Sequence, residues 1–420
     1  MVELSDEIVK FEDLKLEFGE SFFEGTSFSY TDEENKFRKE IRQFAREEIL
    51  PLAPQIEKAG NLNKAFELCL EAYRRLGKKG LLKLAFPKEL GGQGKGFVYR
   101  TIFGEELAAI NSAVVVTYGA SANLYAAPII HYGTSNQQKK FLTPIMNGEK
   151  LGGIAITEPT AGSDAVGGMN TVAIKKGDKY IINGEKRFIT NGSRANYLLL
   201  YALTNPNAPK KHQGISAFII DTSRPGFKRI RDYDLCGRYG SINSHLKFEN
   251  YEANADELVG GPEMENKGVQ IMMTGLDGER CFAASQYIGI ARSAFEVATK
   301  YANLRKQFGK RLRDFEGINF KISDMYAKIE AMRLMILRAA RMLDAGLNAT
   351  KEVSAAKILA ANFNMEIVLD AVQICGGIGY TKDFPVEQYM RDSKISQISA
   401  GTVQILKFLL QREIYKSMGL

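Results

Sequence analysis

The sequence of 420 residues contains no tryptophan, only three histidines and only four cysteines. The cysteines are far apart along the chain, form no CxxC pair and have few histidines near them. This spacing argues against a disulfide framework and against a zinc site, and we predict no metal. We expect the cysteines to be small buried apolar residues: Cys69, Cys236, Cys281 and Cys375.

The N terminus lacks the basic start and the apolar segment of a targeting peptide, since Glu3, Asp6 and Glu7 lie within its first ten residues. We also find no uncharged run long enough to cross a bilayer, and so expect no transmembrane segment. Apolar residues make up 45% of the chain and charged residues 25%, as in ordinary globular proteins. The expectation is a soluble protein of a bacterial or archaeal cytoplasm.

Negative charge is concentrated at the start of the chain. Residues 1–35 hold eleven Asp or Glu against two Lys, so the remainder must carry about +16 to give the total of +7. A basic body is one sign of nucleic-acid binding, but here Lys and Arg are scattered without an aromatic-interleaved stripe or a recognition module. We predict no nucleic-acid role and expect multiply phosphorylated small molecules to use this charge.

Hydrophobic periodicity changes twice along the chain and predicts an α+β fold. The period is helical at first, switches to short β-rich runs, and then returns to helical over four long stretches that suit a bundle. The predicted parts are an acidic extension without chemistry of its own (1–29), an N-terminal helical domain (30–150), a middle antiparallel β domain (151–262) and a C-terminal four-helix bundle (263–420).

Local signals add detail to these domains. Thr31 or Asp32 can cap a helix over residues 32–49. In the middle domain, Gly177-Asp178 and Asn183-Gly184 suit hairpin turns, because Asn, Asp and Gly tolerate positive φ. The first stretch of the bundle predicts one helix over residues 269–302.

The most informative segment, residues 155–164, reads Ala-Ile-Thr-Glu-Pro-Thr-Ala-Gly-Ser-Asp, and Gly167 follows. Glycines let backbone amides approach a ligand closely, and Thr157 and Ser163 offer hydroxyls for a polar ring edge and a phosphate. Taken alone, the segment is equally well explained by an ordinary strand followed by a polar turn.

Four motifs in order resemble the acyl-CoA dehydrogenase family, and the likeness covers nearly the whole chain from about residue 30. They are Thr-Glu-Pro-Thr-Ala-Gly-Ser-Asp (157–164), Gly-Glu-Lys-Arg-Phe-Ile-Thr-Asn-Gly (184–192), Arg-Lys-Gln-Phe-Gly-Lys (305–310) and Gln-Ile-Cys-Gly-Gly-Ile-Gly-Tyr (373–380). The resemblance implies an enzyme of acyl-CoA catabolism that binds FAD and removes the α and β hydrogens of an acyl-CoA thioester.

The resemblance also implies which residues hold FAD. Thr157 would lie at the pyrimidine edge of the flavin, Thr190 at N5, and Phe188 would replace the usual stacking Trp. Arg305 would reach the pyrophosphate on a neighbouring subunit, which requires an oligomer, expected to be a homotetramer; Glu316 departs from the Gln that the family often has near the adenosine. The implied set is Ile156, Thr157, Gly162, Ser163, Phe188, Ile189, Thr190, Arg305, Phe308, Gln373, Gly376, Gly377, Thr402 and Gln404.

The catalytic base is less obvious, because many family members carry it as Glu in Tyr-Glu-Gly-Thr, where this chain has Ser-Ala-Gly-Thr at 399–402. The isovaleryl and long-chain branches have Ala-Gly-Thr there and a Glu in Leu-Asp-x-Glu-Arg, which resembles Leu-Asp-Gly-Glu-Arg at 276–280. The resemblance therefore implies Glu279 as the base. It implies substrate contacts from Ser163, Asp277, Arg280, Ala400 and Gly401; for Asp277 and Arg280 the alternative is a solvated charge pair, and we favour the contacts.

Three functions share these residues. The first is a dehydrogenase that passes electrons to an electron-transfer flavoprotein, and the second is an acyl-CoA oxidase, although oxidase chains are usually much longer. The third is a non-catalytic flavin and acyl-CoA binding protein, suggested by the missing carboxylate at Ala400. Because a base at Glu279 leaves room near the α carbon, we expect a short branched, alicyclic or aryl-substituted acyl group.

Overall fold

The computed structural model describes residues 9–18 and 23–420 of the chain. A helical domain comes first, a β domain follows, and long helices form the last domain, as the periodicity predicted. The helices are α1 Asp32–Phe44, α2 Ala53–Glu57, α3 Leu62–Lys78, α4 Phe97–Ala108, α5 Ser112–Tyr118, α6 Ala126–Tyr132, α7 Ser135–Gln137, α8 Thr143–Met146, α9 Gly268–Thr274, α10 Leu276–Leu304, α11 Glu316–Asp344, α12 Thr350–Cys375, α13 Val386–Lys394 and α14 Val403–Ser417. The strands are β1 Gly152–Ala155, β2 Val172–Lys176, β3 Lys179–Thr190, β4 Tyr197–Leu203, β5 Ile215–Asp221, β6 Phe227–Asp232, β7 Asn243–Asn254, β8 Lys306–Gln307 and β9 Lys310–Arg311.

The first long helix begins where its capping signal predicts. The Thr31 hydroxyl accepts a hydrogen bond from the Glu34 N–H at 3.2 Å, and the Glu34 carboxylate accepts one from the Thr31 N–H at 2.9 Å. This reciprocal arrangement satisfies two N–H groups that no helical carbonyl can reach. Helix α1 then continues through a π-helical turn, Ala45–Ile49, so the predicted helix ends at the expected residue.

The middle domain is a seven-stranded sheet in the order β1-β4-β2-β3-β7-β6, with β5 paired to β4. Most neighbouring strands are antiparallel, while β1 and one residue of β2 pair with β4 in parallel. One face of the sheet packs its own apolar core and the other contacts the helical domains. The ends of the strands therefore lie against α5 and against the π-helical segment that follows it, Gly119–Tyr125.

Of the two predicted hairpin turns, one is confirmed and one is wrong. Gly177, with φ +64°, lies in the turn that joins β2 to β3. Asn183-Gly184 instead lies inside β3, where the pairing with β7 shifts register between Ile182 and Gly184. A side chain at Gly184 would place its Cβ 2.4 Å from the Thr171 hydroxyl oxygen, so glycine serves close strand packing there and makes no turn.

The helix predicted over residues 269–302 is two helices. Helix α9 ends at Thr274 and α10 begins at Leu276, with Gly275 between them in a turn conformation. Glycine is a poor helix former, and the short α9 packs instead against β5 through Gly268, where a Cβ would lie 2.8 Å from the Ile215 carbonyl oxygen. Because of this break, the position and direction in which α10 begins do not depend on α9.

The expectation that no uncharged run is long enough to cross a bilayer is wrong by length and composition. Within residues 9–18 and 23–420, two helical stretches are long and apolar enough, the uncharged Ser112–Tyr132 and Thr350–Tyr380, which carries a few charges; 78% and 44% of their apolar 18-residue windows are buried inside the protein. Buried core helices of soluble proteins have the same composition, because they are apolar on most sides.

Three of the cysteines are buried as expected, and the expectation is wrong for Cys236, which is exposed. The predicted acidic extension lies partly outside the described residues, namely at 1–8 and 19–22. Its remaining part packs on the C-terminal helices: the Phe23 ring stacks on Tyr326 at 5.4 Å, and the Phe11 ring meets Phe384 edge-on at 5.9 Å.

A buried ion network fixes α10 between the two helical domains. Arg292 on α10 bonds Glu105 at 2.7 Å and Glu106 at 2.8 Å, both on α4. Arg42 on α1 reaches Glu106 at 2.8 Å, and Arg333 on α11 reaches Glu105 at 2.8 Å. Burial alone would raise the pKa of Glu106, but Arg292 and Arg42 hold it well below its usual range. The network thus locks four helices, including the one that carries Glu279.

Candidate active site

Glu279 lies in the first turn of α10 and points into the protein, with 8% of its surface exposed. Burial raises the pKa of its carboxyl to about 8, while Arg100, the Asn123 amide and Arg238 act in the opposite direction. A carboxyl in this range exchanges its proton near physiological pH, as a general base requires. The side chain is therefore suited to proton transfer inside a closed cavity.

Arg100 is held beside Glu279 by an aromatic ring and an amide. Its guanidinium lies over the Phe97 ring at 4.3 Å and donates to the Asn123 side-chain oxygen at 3.0 Å. The Phe97 ring in turn presses on α10 at Gly278, where a Cβ would lie 2.4 Å from a ring carbon. Glycine at 278 therefore allows α4 and α10 to approach closely enough to bring Arg100 to Glu279.

The segment before α14 has an unusual backbone that a buried lysine holds. Ala400 has φ +55° and Gly401 has φ +90°, and the left-handed region is costly for alanine. The Lys357 ammonium donates to the carbonyl oxygens of Ser396 at 2.9 Å, Ser399 at 3.0 Å and Gly401 at 2.8 Å. Three carbonyls on one ammonium fix the direction of the peptide groups on either side of Ala400.

Arg280 connects this segment to the start of α10. Its Nε donates to the Ala400 carbonyl at 3.3 Å, and its Nη1 contacts the Asp277 carboxylate at 3.2 Å. Asp277 also accepts from the Thr350 hydroxyl at 2.5 Å. The Arg280 side chain is only 10% exposed, so the pair with Asp277 is largely shielded from solvent. The structure thus brings four residues predicted as substrate contacts together, Asp277, Arg280, Ala400 and Gly401, and the predicted base Glu279 precedes Arg280 in the same helical turn.

The Thr-Glu-Pro motif owes its shape to the glutamate at its centre. The Glu158 carboxylate accepts from the N–H groups of Asn170 at 2.7 Å and Thr171 at 2.9 Å, and forms a buried salt bridge with Lys186 at 2.8 Å. Lys186 also donates to the Ile156 carbonyl at 3.0 Å. The Glu158 carboxylate therefore fixes both ends of the loop, and the tip of the loop stays available to a ligand.

The tip of this loop and the end of β3 offer open surface. Gly162 and Ser163 are exposed, and a Cβ at Gly162 would meet nothing within 4 Å. The Phe188 ring is 52% exposed on a backbone with φ +57°, while the Ile189 side chain is buried in the core of the β domain. Thr190 donates to the Asn243 side-chain oxygen at 3.3 Å. Only the backbone of Ile189 is available to a ligand.

Five other predicted cofactor residues lie at the opposite end of the long helices. Residue 305 directly follows α10 and lies 26 positions after residue 279, which corresponds to about 39 Å at the rise of a helix. Phe308 lies at the tip of the β8–β9 hairpin and is 93% exposed. The residues placed at this end are Arg305, Phe308, Gln373, Gly376 and Gly377.

Two predicted cofactor residues lie at the start of α14. The Thr402 hydroxyl caps this helix by accepting from the Ile405 N–H at 3.2 Å, and Gln404 is exposed. Thr402 thus has a structural role whatever it binds.

Sequence reasoning missed several residues around Glu279, since each is a single polar residue within an apolar pattern. The only sequence feature that could have indicated these residues is Arg100, a lone arginine within the apolar pattern of α4. The missed residues are Arg100, Asn123, Arg238, Tyr287 and Lys357.

Three models of the acyl-CoA dehydrogenase family match this chain: the N-terminal domain at residues 31–149, the middle domain at 153–251 and the C-terminal domain at 266–415. An acyl-CoA dehydrogenase of Bacillus subtilis (strain 168) is 39% identical over 382 residues, which cover 91% of this chain and 98% of that protein. The mitochondrial isovaleryl-CoA dehydrogenase of Solanum tuberosum is 34% identical, with 93% and 92% of the two chains covered.

A solved structure has the same fold. The butyryl-CoA dehydrogenase from Megasphaera elsdenii superposes with a TM-score of 0.85 at 36% identity, and the match covers 92% of this chain and 99% of that one. The chain therefore belongs to the acyl-CoA dehydrogenase family, whose members are FAD-dependent oxidoreductases. It is an acyl-CoA dehydrogenase, and the resemblance drawn from its motifs is confirmed.

Proposed function

We propose that Glu279 is the base that removes the α proton of an acyl-CoA thioester, which then becomes the 2-enoyl-CoA. The observation that carries this proposal is a buried carboxyl with a pKa of about 8 in the first turn of α10, next in the chain to Arg280, which donates to the carbonyl of Ala400, where this chain has no carboxylate. FAD, when bound, supplies the acceptor at N5 for the β hydride. Glu279 in turn needs only to hold and move one proton.

The Ala400 segment supplies the second requirement of the reaction. An α C–H is acidic enough for a carboxylate only if hydrogen-bond donors hold the thioester oxygen where enolate charge develops. The Ala400 N–H is one such donor in our proposal, and Lys357 and Arg280 fix its direction through the flanking carbonyls. Rigid placement of donor and base contributes to the rate because no reorganisation is needed during the reaction.

The surface around Phe188 fits the flavin. An exposed aromatic ring, the open space at Gly162 and the hydroxyls of Thr157 and Ser163 match the ring edge and phosphate that the motif predicts. We assign Ile156, through its backbone, and Thr190 to the same site, with Ser163 also touching the CoA chain.

The predicted cofactor residues at the far end of α10 support an FAD site that is shared between two subunits. Because about 39 Å of helix separates Arg305 from Glu279, the two residues cannot act on one FAD within a single chain. The exposed Phe308 ring and the open space at Gly376 and Gly377 leave this end free to bind the cofactor of a neighbouring copy. We therefore propose a homo-oligomer, a homotetramer by family resemblance, in the cytoplasm.

Two further features of the reaction follow from the same placement. A base that approaches from α10 leaves room near the α carbon, which supports a short branched, alicyclic or aryl-substituted acyl group. We propose an electron-transfer flavoprotein as the electron acceptor, supported by the likeness of this chain, at 36% identity and a TM-score of 0.85, to a solved structure described as an electron-transferring flavoprotein of Acidaminococcus fermentans.

The test is anaerobic mixing of the purified yellow holoenzyme with a panel of acyl-CoA thioesters. Wild type should bleach the flavin with its substrate, and Glu279→Gln should keep its flavin but bleach it at least ~100-fold more slowly, the usual contribution of a general base. Glu263→Gln, an exposed glutamate in the same domain, is the matched control and should behave as wild type. Unchanged bleaching by Glu279→Gln would show that another group is the base.

A further inference from the structure

We infer that the preferred substrate is an acyl-CoA whose acyl group itself carries a carboxylate, and that Arg100 and Arg238 hold this carboxylate. This inference rests on the proposed function, since it takes the acyl group to lie beside Glu279. It adds a charge to the branched, alicyclic or aryl group proposed above.

The two arginines approach Glu279 from opposite domains. Arg100 comes from α4 of the helical domain, over the Phe97 ring. Arg238 comes from the loop between β6 and β7, where its backbone N–H donates to Asp392 on α13. Both guanidinium groups interact electrostatically with the Glu279 carboxyl. Two arginines from different domains therefore act on the same buried carboxyl.

Several donors in the pocket around Glu279 have no acceptor. Arg238 is 8% exposed, and its Nε and Nη2 have no hydrogen-bond partner among the described residues. The Arg100 Nε and the Tyr118 hydroxyl are likewise buried without a partner in the described part of the chain. Buried donors are nearly always paired in native proteins, because an unpaired one loses its bond to water. The Glu279 Oε2 atom is also buried without a partner in the described part of the chain, but one acceptor cannot satisfy these four donor atoms, so they require a ligand rich in acceptors.

The charge of the pocket supports an anionic ligand. Burial lowers the pKa of both Arg100 and Arg238, which shows that the cations lose hydration there. Two carboxyls act on Arg238, Glu279 and Asp392, and Asp392 already accepts from the Ser112 hydroxyl at 2.7 Å and from the Arg238 backbone. A carboxylate offers two oxygens in the plane that matches a guanidinium fork and would supply the missing charge.

The position of the pocket assigns this carboxylate to the acyl group. CoA carries its phosphates at the far end of the pantetheine arm, whereas Arg100 and Arg238 both act on the group that removes the α proton. Ordered water is the other occupant that could satisfy these donors, and it would leave the enzyme indifferent to charge on the acyl chain.

The experiment compares matched probes on the wild-type holoenzyme. Glutaryl-CoA and adipyl-CoA each carry a terminal carboxylate, and their monomethyl esters have the same chain without the charge. Binding is measured as the change in absorbance of the oxidised flavin, and turnover as anaerobic bleaching. We expect each acid to bind on the order of tenfold to hundredfold more tightly than its ester, because charged hydrogen bonds in a buried site are strong.

Variants then locate the preference. Arg100→Met and Arg238→Met should each reduce the ratio of acid to ester affinity at least ~10-fold, the effect of losing one charged contact. Arg338→Met is the matched control, since that side chain is 72% exposed on α11, and it should leave the ratio unchanged. If a variant does not fold, the comparison of acid and ester on wild type still decides.

The outcomes separate this inference from the proposed function. Esters that bind as tightly as the acids would overturn the inference and indicate water between the arginines. Bleaching by uncharged acyl-CoAs alone would also overturn it, while leaving the role of Glu279 intact. Tight binding of the acids without any bleaching would support the arginine site and defeat the proposed chemistry.

Discussion

Ionisation of Glu279 should destabilise the folded protein, and the structure gives the size of the effect. Burial raises the pKa of this carboxyl to about 8 from an ordinary value of 4.5. Between these two values the unfolded chain has released a proton that the folded chain retains, so stability is lost as pH rises through the window. Each pH unit then lowers the free energy of unfolding by about 1.4 kcal/mol.

Glu279→Gln removes this titration and keeps the size of the side chain. Stability of the variant relative to wild type should therefore increase by about 3 to 4 kcal/mol between pH 5 and pH 8. The neighbouring groups that titrate or carry charge are the same in both proteins, namely Arg100, Arg238, Tyr118 and Tyr287, so the difference between the two isolates the carboxyl.

The assay is thermal or urea unfolding of the two holoenzymes at pH 5, 6, 7 and 8. Glu263→Gln, at an exposed position, should show no such trend. A stability difference between Glu279→Gln and wild type that stays constant from pH 5 to pH 8 would mean that Glu279 ionises in its ordinary range. The reasoning from burial would then be refuted.

Two further predictions concern residues that hold the site in shape. Lys186→Met leaves the Glu158 carboxylate buried without its cation, so the free energy of unfolding in urea should fall by about 3 to 5 kcal/mol, and adding Glu158→Gln should restore most of it. Lys357 is a positioning residue, and burial, with help from Arg280, lowers its pKa to about 8. Wild-type kcat should therefore decline above pH 8, because the Lys357 ammonium loses one hydrogen-bond donor. Lys357→Met should have a low kcat that shows no such decline. Lys357→Arg should recover part of the wild-type activity.

The sequence predicted the elements whose signals are local. Thr31 starts α1 because its capping box involves only residues three positions apart. Asn183-Gly184 has the composition of a turn but sits inside β3, since the deciding contact is with Thr171, twelve positions before Asn183 in sequence. The break at Gly275 was missed for a similar reason, because α9 packs on a strand of another domain.

The same distinction applies to the site. Glu279, Arg280 and Ala400 were predicted because each belongs to a short motif that can be compared directly. Arg100 and Arg238 belong to no motif, and they meet only when α4 and the β6–β7 loop pack on α10. Residues brought together in this way become visible only in three dimensions.

Helix α10 connects the reaction centre of one chain to that of its neighbour in the proposed assembly. The chain presents Glu279 at one end of this helix and Arg305 at the other. In the proposed assembly, a copy in which this helix is disrupted therefore damages two reaction centres, its own and the one it completes. Loss of function in a mixed population would be dominant and out of proportion to the fraction of faulty chains.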